Sequence, residues 1–186
     1  MRTVPGALLG LAVLTAAAQP AAQPEARPSP PFTIRRVGSP DIQLSQYKGK
    51  IVLLVFILTT CPHCQELTRE LNPIAREYEA RGVQVVECAF NLNASELVPG
   101  FIQQVQPAFP VGWTDNDSVM AYVGRSIVDR RPFFVPHLVF LDRRGLIVGD
   151  YAGESDFMKT PAASIRAELD KMLKAGGAGP PAGKSK

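Results

Sequence analysis

Ile51-Val52-Leu53-Leu54-Val55-Phe56-Ile57-Leu58-Thr59-Thr60-Cys61-Pro62-His63-Cys64 is the stretch that decides the fold. Its first eight residues are all apolar and rich in β-branched side chains, the pattern of a central strand covered on both faces. The period then changes. Cys64, Leu67, Thr68, Leu71, Ile74, Ala75 and Tyr78 follow three-and-four spacing, the stripe of an amphipathic helix. Pro62 falls in the first turn, where its missing N–H costs nothing, and Pro73 is expected to kink the helix. Two cysteines therefore sit where a strand hands over to a helix N-terminus. That end favours negative charge, and so favours a thiolate at Cys61. The thiolate is the nucleophile of disulfide exchange.

Working outward, Val83 to Phe90 reads as the next strand, so strand, helix and strand form a right-handed parallel crossover unit. Upstream, Phe32-Thr33-Ile34 and Ile42-Gln43-Leu44 read as short strands around the Gly38-Ser39-Pro40-Asp41 turn. Downstream, Ser95 is expected to cap a helix through Val105. Phe109 to Trp113 forms a short strand, and Asp115 or Asn116 starts a helix through Val123. Val135 to Leu141 and Leu146 to Tyr151 read as strands joined by the turn Asp142-Arg143-Arg144-Gly145. Ser164 to Leu173 closes the unit as a helix. No internal repeat or Gly-rich phosphate loop is visible.

The ends of the 186-residue chain have a different character. Residues 1–18 read as a signal peptide, with a small, apolar Ala7–Ala18 and an A-x-A site at Ala16-Ala17-Ala18. Left uncleaved, that segment would hold the protein to a membrane, although its apolar part is shorter than the ~20 residues of a spanning helix. Residues 19–31 are Pro- and Ala-rich and read as an extended linker. Residues 32–174 form the folded domain, and 175–186 a tail of Gly, Pro, Ala, Lys and Ser that is expected to be disordered. Location is therefore expected to be periplasmic or otherwise exported.

Twenty basic and 17 acidic residues leave a net charge of +3, with no basic stripe interleaved with aromatics, so a nucleic-acid partner is not implied. Three cysteines, two of them in CxxC, do not make a structural disulfide framework. Cys88, in the second strand, reads as a small core residue.

The order of elements, the Cys61-Pro62-His63-Cys64 motif after a buried strand, and Val135-Pro136 opening a hairpin about 70 residues later together resemble the thioredoxin fold. Leu44-Ser45-Gln46-Tyr47-Lys48-Gly49-Lys50, Val55 to Cys64 and Val135 to Gly145 resemble the exported TlpA/ResA branch of thiol–disulfide oxidoreductases. The resemblance implies an α/β three-layer sandwich, a central mixed β-sheet flanked by helices, with an N-terminal strand extension. It implies a cis-proline at Pro136 that, with Val135, helps grip a partner's extended chain. The Pro62-His63 pair and the valine before Pro136 resemble DsbA. Thioredoxin's buried aspartate, six residues before the first cysteine, is replaced here by Val55, and the tryptophan before the motif by Thr60.

The mechanism expected on this basis makes Cys61 the nucleophile and Cys64 the buried resolving thiol, with Pro62 shaping the turn. Protonated His63 would help the helix end stabilise the Cys61 thiolate. Neither an organic cofactor nor a metal is required, because the dithiol stores two electrons. The expected partners are protein thiols and disulfides and a redox partner protein, a membrane-bound one among the options, with the chain itself a monomer. The alternative is a Sco-like copper chaperone holding Cu(I) through Cys61, Cys64 and His137. A peroxidase on the same scaffold would carry Pro-x-x-x-Thr-x-x-Cys, but Leu58 stands where that threonine belongs.

Overall fold

The computed structural model describes residues 26–126 and 128–176. The leader expected at 1–18, the start of the linker and nearly all of the C-terminal tail lie outside them.

The apolar run forms β4 (Ile51–Ile57), and every one of its residues is buried. It sits at the centre of a six-stranded mixed sheet. The other members are β1 (Arg27–Pro28), β5 (Val83–Ala89), β6 (Val111–Trp113), β7 (His137–Leu141) and β8 (Leu146–Tyr151), in the order β1-β8-β7-β4-β5-β6. β4 pairs in parallel with β5, and β5 with β6, whereas β7 runs antiparallel to both β4 and β8. β2 (Thr33–Ile34) and β3 (Ile42–Gln43) form a separate two-stranded ribbon. The helices are α1 (Pro62–Glu79), α2 (Ala94–Val105), α3 (Asn116–Tyr122) and α4 (Pro161–Gly176).

Strand parity assigns the layers. Odd-numbered residues of β4 (Ile51, Leu53, Val55, Ile57) share one core with α1, α2 and α4. Even-numbered ones (Val52, Leu54, Phe56) share the opposite core with α3, the β2–β3 ribbon and the 3-10 turn Leu44–Tyr47. A strand flanked by two cores has no polar face to alternate with, which is why its sequence is continuously apolar. The three-layer α/β architecture is the one expected.

The elements depart from expectation at their ends. The linker assigned to residues 19–31 is not free to its last residue, because Arg27–Pro28 pairs with Leu146 and Ile147 of β8. Ser29 N donates to Gly145 O, and the Ser29 and Tyr122 hydroxyls lie 2.9 Å apart. Proline is tolerated there because β1 is an edge strand and needs no second row of donors. α2 starts at Ala94 rather than behind a Ser95 cap. Asn93 occupies its N-cap in the left-handed region and makes no side-chain cap bond. α3 does begin behind Asp115, whose Oδ1 accepts from Ser118 N at 2.8 Å. Pro73 lies inside α1 without ending it, and α4 runs longer than its apolar stripe.

β6 closes against the N-terminal segment. Trp113 and Arg35 exchange backbone hydrogen bonds of 2.8 and 2.9 Å. Gly112 makes this approach possible, since a Cβ there would sit 2.3 Å from Arg35 O. Gly112→Ala is expected to cost about 1–3 kcal/mol or more, because the obstruction is backbone. A urea unfolding midpoint unchanged from the wild type would contradict this reading of the seam.

Candidate active site

Cys61 is the N-cap of α1, in extended conformation, and Pro62 is the first helical residue. Cys61 N donates to Leu58 O at 3.0 Å, and its carbonyl accepts from Gln65 N at 3.1 Å. The first backbone N–H groups of a helix have no intrahelical acceptor, and the Cys61 side chain at the N-cap makes no cap bond to them. Cys61 is partly exposed, whereas Cys64, one turn on, is fully buried. Burial, above all, pushes the Cys64 thiol far above its ordinary range, and the Cys61 and Glu87 side chains add to the shift. The two sulfurs are chemically unequal although they belong to one motif. His63 and Pro62 are exposed on the first turn.

The turn that delivers the dithiol is braced from β5's exit. Asn91 Oδ1 accepts from Thr59 N at 3.0 Å and from Thr59 Oγ1 at 3.3 Å, and Gln65 Nε2 donates to Thr59 O at 2.9 Å. Asn91 and Gln65 are positioning residues that sequence reasoning did not single out. Neither belongs to a recognisable spacing.

The Val135–Pro136 peptide is cis, as the resemblance implied. Val135, Pro136, His63, Leu67, Gly153 and Met158 are among the residues lining a groove of about 420 Å³ beside the first turn of α1. A Cβ on Gly153 would lie 2.8 Å from Val135 O, so the β8 exit packs directly behind the proline loop.

His137 does not join the cysteines. Its Nε2 lies 2.6 Å from Asp150 Oδ1, its ring stacks on Phe133, and it packs near Phe56 in the core opposite Cys64. Burial disfavours a charge on Asp150, but His137 and Arg27 together hold its carboxyl below the usual range. Among the described residues, no group of three His, Cys, Asp or Glu side chains is placed to hold a metal ion. The copper arrangement of Cys61, Cys64 and His137 is therefore not formed, because successive strand residues alternate faces. Cys88 also lies on that opposite face, paired in register with Phe56. It is fully buried, and burial pushes its thiol upward.

The residue most clearly missed is Glu87. It is 0% exposed and stands on the same face as Cys64, in register with Val55 on one side and Val111 on the other. Burial raises its carboxyl to about 8, against only the opposing hydrogen bond of Thr68. The signal was available: Val83, Val85, Glu87 and Ala89 share one parity, so an acid on that strand had to enter the core.

A thioredoxin-like α/β sandwich with a dithiol at the N-terminus of its first long helix defines the class. Residues 26–149 match the AhpC/TSA family, and the chain belongs to it. It is 24% identical over 127 residues to a thiol-disulfide oxidoreductase ResA of Bacillus thuringiensis subsp. konkukian, covering 68% of each chain. It is 33% identical over 100 residues to glutathione peroxidase 3 of Caenorhabditis elegans, covering 49% of this chain and 42% of that one. The chain thus spans less than half the length of that peroxidase. Among solved structures it resembles a thiol:disulfide interchange protein DsbE from Chlorobium tepidum, with a TM-score of 0.64 at 22% identity, over 80% of this chain and 99% of that one.

Glu87 also carries a stability prediction. Its folded-state value of about 8 lies above the ordinary 4.5, so between these values the folded state binds more protons than the unfolded one. Its contribution is fully present below about pH 4.5 and is lost as the pH rises through about 8. Glu87→Gln is therefore expected to gain stability relative to wild type, by up to several kcal/mol, as the pH is raised across that window. Urea unfolding curves of the two proteins that stay parallel across it would contradict this.

Proposed function

We propose that the protein is an exported thiol–disulfide oxidoreductase that exchanges disulfides with protein substrates through Cys61 and Cys64. The observation that carries this reading is the inequality of the two thiols: Cys61 partly exposed at a helix N-cap, Cys64 buried one turn behind it. In the reducing direction, the Cys61 thiolate attacks one sulfur of a substrate disulfide and forms a mixed disulfide, and the other substrate sulfur leaves as a thiolate. Cys64 then attacks Cys61 Sγ, closes the Cys61–Cys64 disulfide and releases the second substrate thiolate. The pair loses two electrons and the substrate gains two. The oxidising direction is the same sequence reversed.

The groove beside Pro136 is the natural seat for the substrate's extended backbone, with Val135 and Pro136 as its gripping residues. Pro62 holds the first turn in helical conformation without adding an unpaired donor. His63, exposed next to the N-cap, lends positive charge to the Cys61 thiolate when protonated. The relatives named ResA support the reaction class. Export rests on the apolar leader read from the sequence. No helix among the described residues is long and apolar enough to cross a membrane. A redox partner protein restores the dithiol or the disulfide after each cycle, and one chain contains both thiols that the cycle uses.

The test is equilibration of the mature protein with glutathione buffers, in a Cys88→Ser background. A single two-electron transition that disappears in Cys61→Ser and in Cys64→Ser is expected. His63→Gln should lower the midpoint by roughly 20 mV or less, because an exposed charge is well screened. A pair that does not cycle, or a transition that survives loss of Cys61, would overturn the proposal.

A further inference from the structure

Thr68 Oγ1 lies 2.8 Å from Cys64 O and 2.9 and 3.1 Å from the two carboxyl oxygens of Glu87. A hydroxyl carries one hydrogen. A carbonyl oxygen can only accept, so when Cys64 O takes that hydrogen, Thr68 has only lone pairs left for Glu87. The carboxyl must then be the donor, and so it must be protonated. When Glu87 ionises, the hydroxyl turns and donates to the carboxylate instead, and Cys64 O keeps only its helical bond. Thr68 thus serves both protonation states of a carboxyl that has no other polar partner among the described residues.

The surroundings leave that carboxyl one counterpart. On its face of the sheet, β4 offers Val55 and β6 offers Val111, and the core that α2 adds there, Phe101 and Val105 included, is apolar. α1 offers Thr68 and the titratable Cys64, with Cys61 beyond it. A buried acid with no cation beside it is costly to keep. Here Thr68 links it to the backbone of Cys64, the buried thiol that must lose its proton when the mixed disulfide is resolved, and its charge acts on that thiol.

We infer that Glu87 is the proton acceptor for Cys64 and Thr68 its positioning residue, so that the base serving the resolving thiol comes from β5 rather than from the strand that carries the dithiol. The inference rests on the exchange reaction proposed above. In resolution, the Cys64 thiol gives its proton to the Glu87 carboxylate as Cys64 Sγ attacks Cys61 Sγ. The Cys61–substrate bond breaks and the substrate leaves as a thiolate. In the reverse direction, Glu87 returns the proton to Cys64 as that sulfur is displaced. One proton moves within the protein for each disulfide closed or opened.

Reaction of the reduced protein with 5,5′-dithiobis(2-nitrobenzoate), in a Cys88→Ser background, separates the two steps. The first thionitrobenzoate is released as Cys61 attacks and the second as Cys64 resolves the mixed disulfide. In Glu87→Gln the first phase is expected to be unchanged and the second slowed by about 100-fold near neutral pH, the lower range for loss of a positioned base. The wild-type second phase should rise with pH and level off above about 8, where Glu87 has lost its proton, whereas the variant's should go on rising. A second phase equal in rate and pH profile in both proteins would overturn the inference. Absence of the first phase in the wild type would instead overturn the exchange reaction itself. Should the variant fail to fold, carboxyl carbon-13 titration of the wild type decides. A Glu87 midpoint near 8 that is higher in the dithiol than in the disulfide form is expected. An ordinary midpoint, or one indifferent to redox state, would overturn the inference.

Discussion

The pairing of β4 with β5 is the constraint on which the site depends. Seven residues of each strand lie in parallel register, from Ile51 beside Val83 to Ile57 beside Ala89. That register sets three things together. It aims the end of β4 at the Thr59 turn and the start of α1. It puts Val55 and Glu87 side by side under that helix. It sends Phe56 and Cys88 to the opposite core, where the pairing of β7 with β4 also sets His137. A slip of one residue would exchange the faces and bring Cys88 under the dithiol in place of Glu87. Both faces are packed, so such a slip would also bury Glu87 among Phe32, Phe56 and Tyr122, with Thr68 out of reach.

Within this frame the chemistry follows from differences in exposure. Cys61 and Cys64 share a motif and a helix turn, yet one meets solvent at the helix end while the other is enclosed. Low dielectric resists the Cys64 thiolate, and the neighbouring acid resists it further when ionised. The same burial that makes Cys64 a poor first nucleophile suits it to act second, after a mixed disulfide has formed beside it. His137 shows the opposite outcome. It directly follows Pro136, which lines the groove beside the first turn of α1, but its ring is committed to Asp150 and to an aromatic stack.

The architecture was largely legible. The continuous apolar run, the change to helical spacing at Cys64 and the hairpin turn at Asp142–Gly145 each left a local signature, and each element stands where it was read. The cysteines were legible because CxxC at a strand-to-helix junction is itself a local pattern. The proton acceptor is not legible on the strand that carries the dithiol, where Val55 is apolar. Glu87 lies across a strand pairing, and only the register links it to Cys64. Asn91 is equally non-local: it braces Thr59 from 32 residues away. Pairing at the N-terminal edge was also missed, since Arg27-Pro28 has no strand-like composition and is held by backbone bonds and the Arg27–Asp150 ion pair.

The central claim is that one thiol is poised to react and the others are withheld by the fold. The direct measurement is limited alkylation of the reduced native protein with iodoacetamide near neutral pH, followed by peptide mapping of the three cysteines. The account predicts that Cys61 is modified first and nearly alone, with Cys64 and Cys88 labelled only on unfolding. Labelling of Cys64 or Cys88 in the native protein as fast as Cys61 would contradict it.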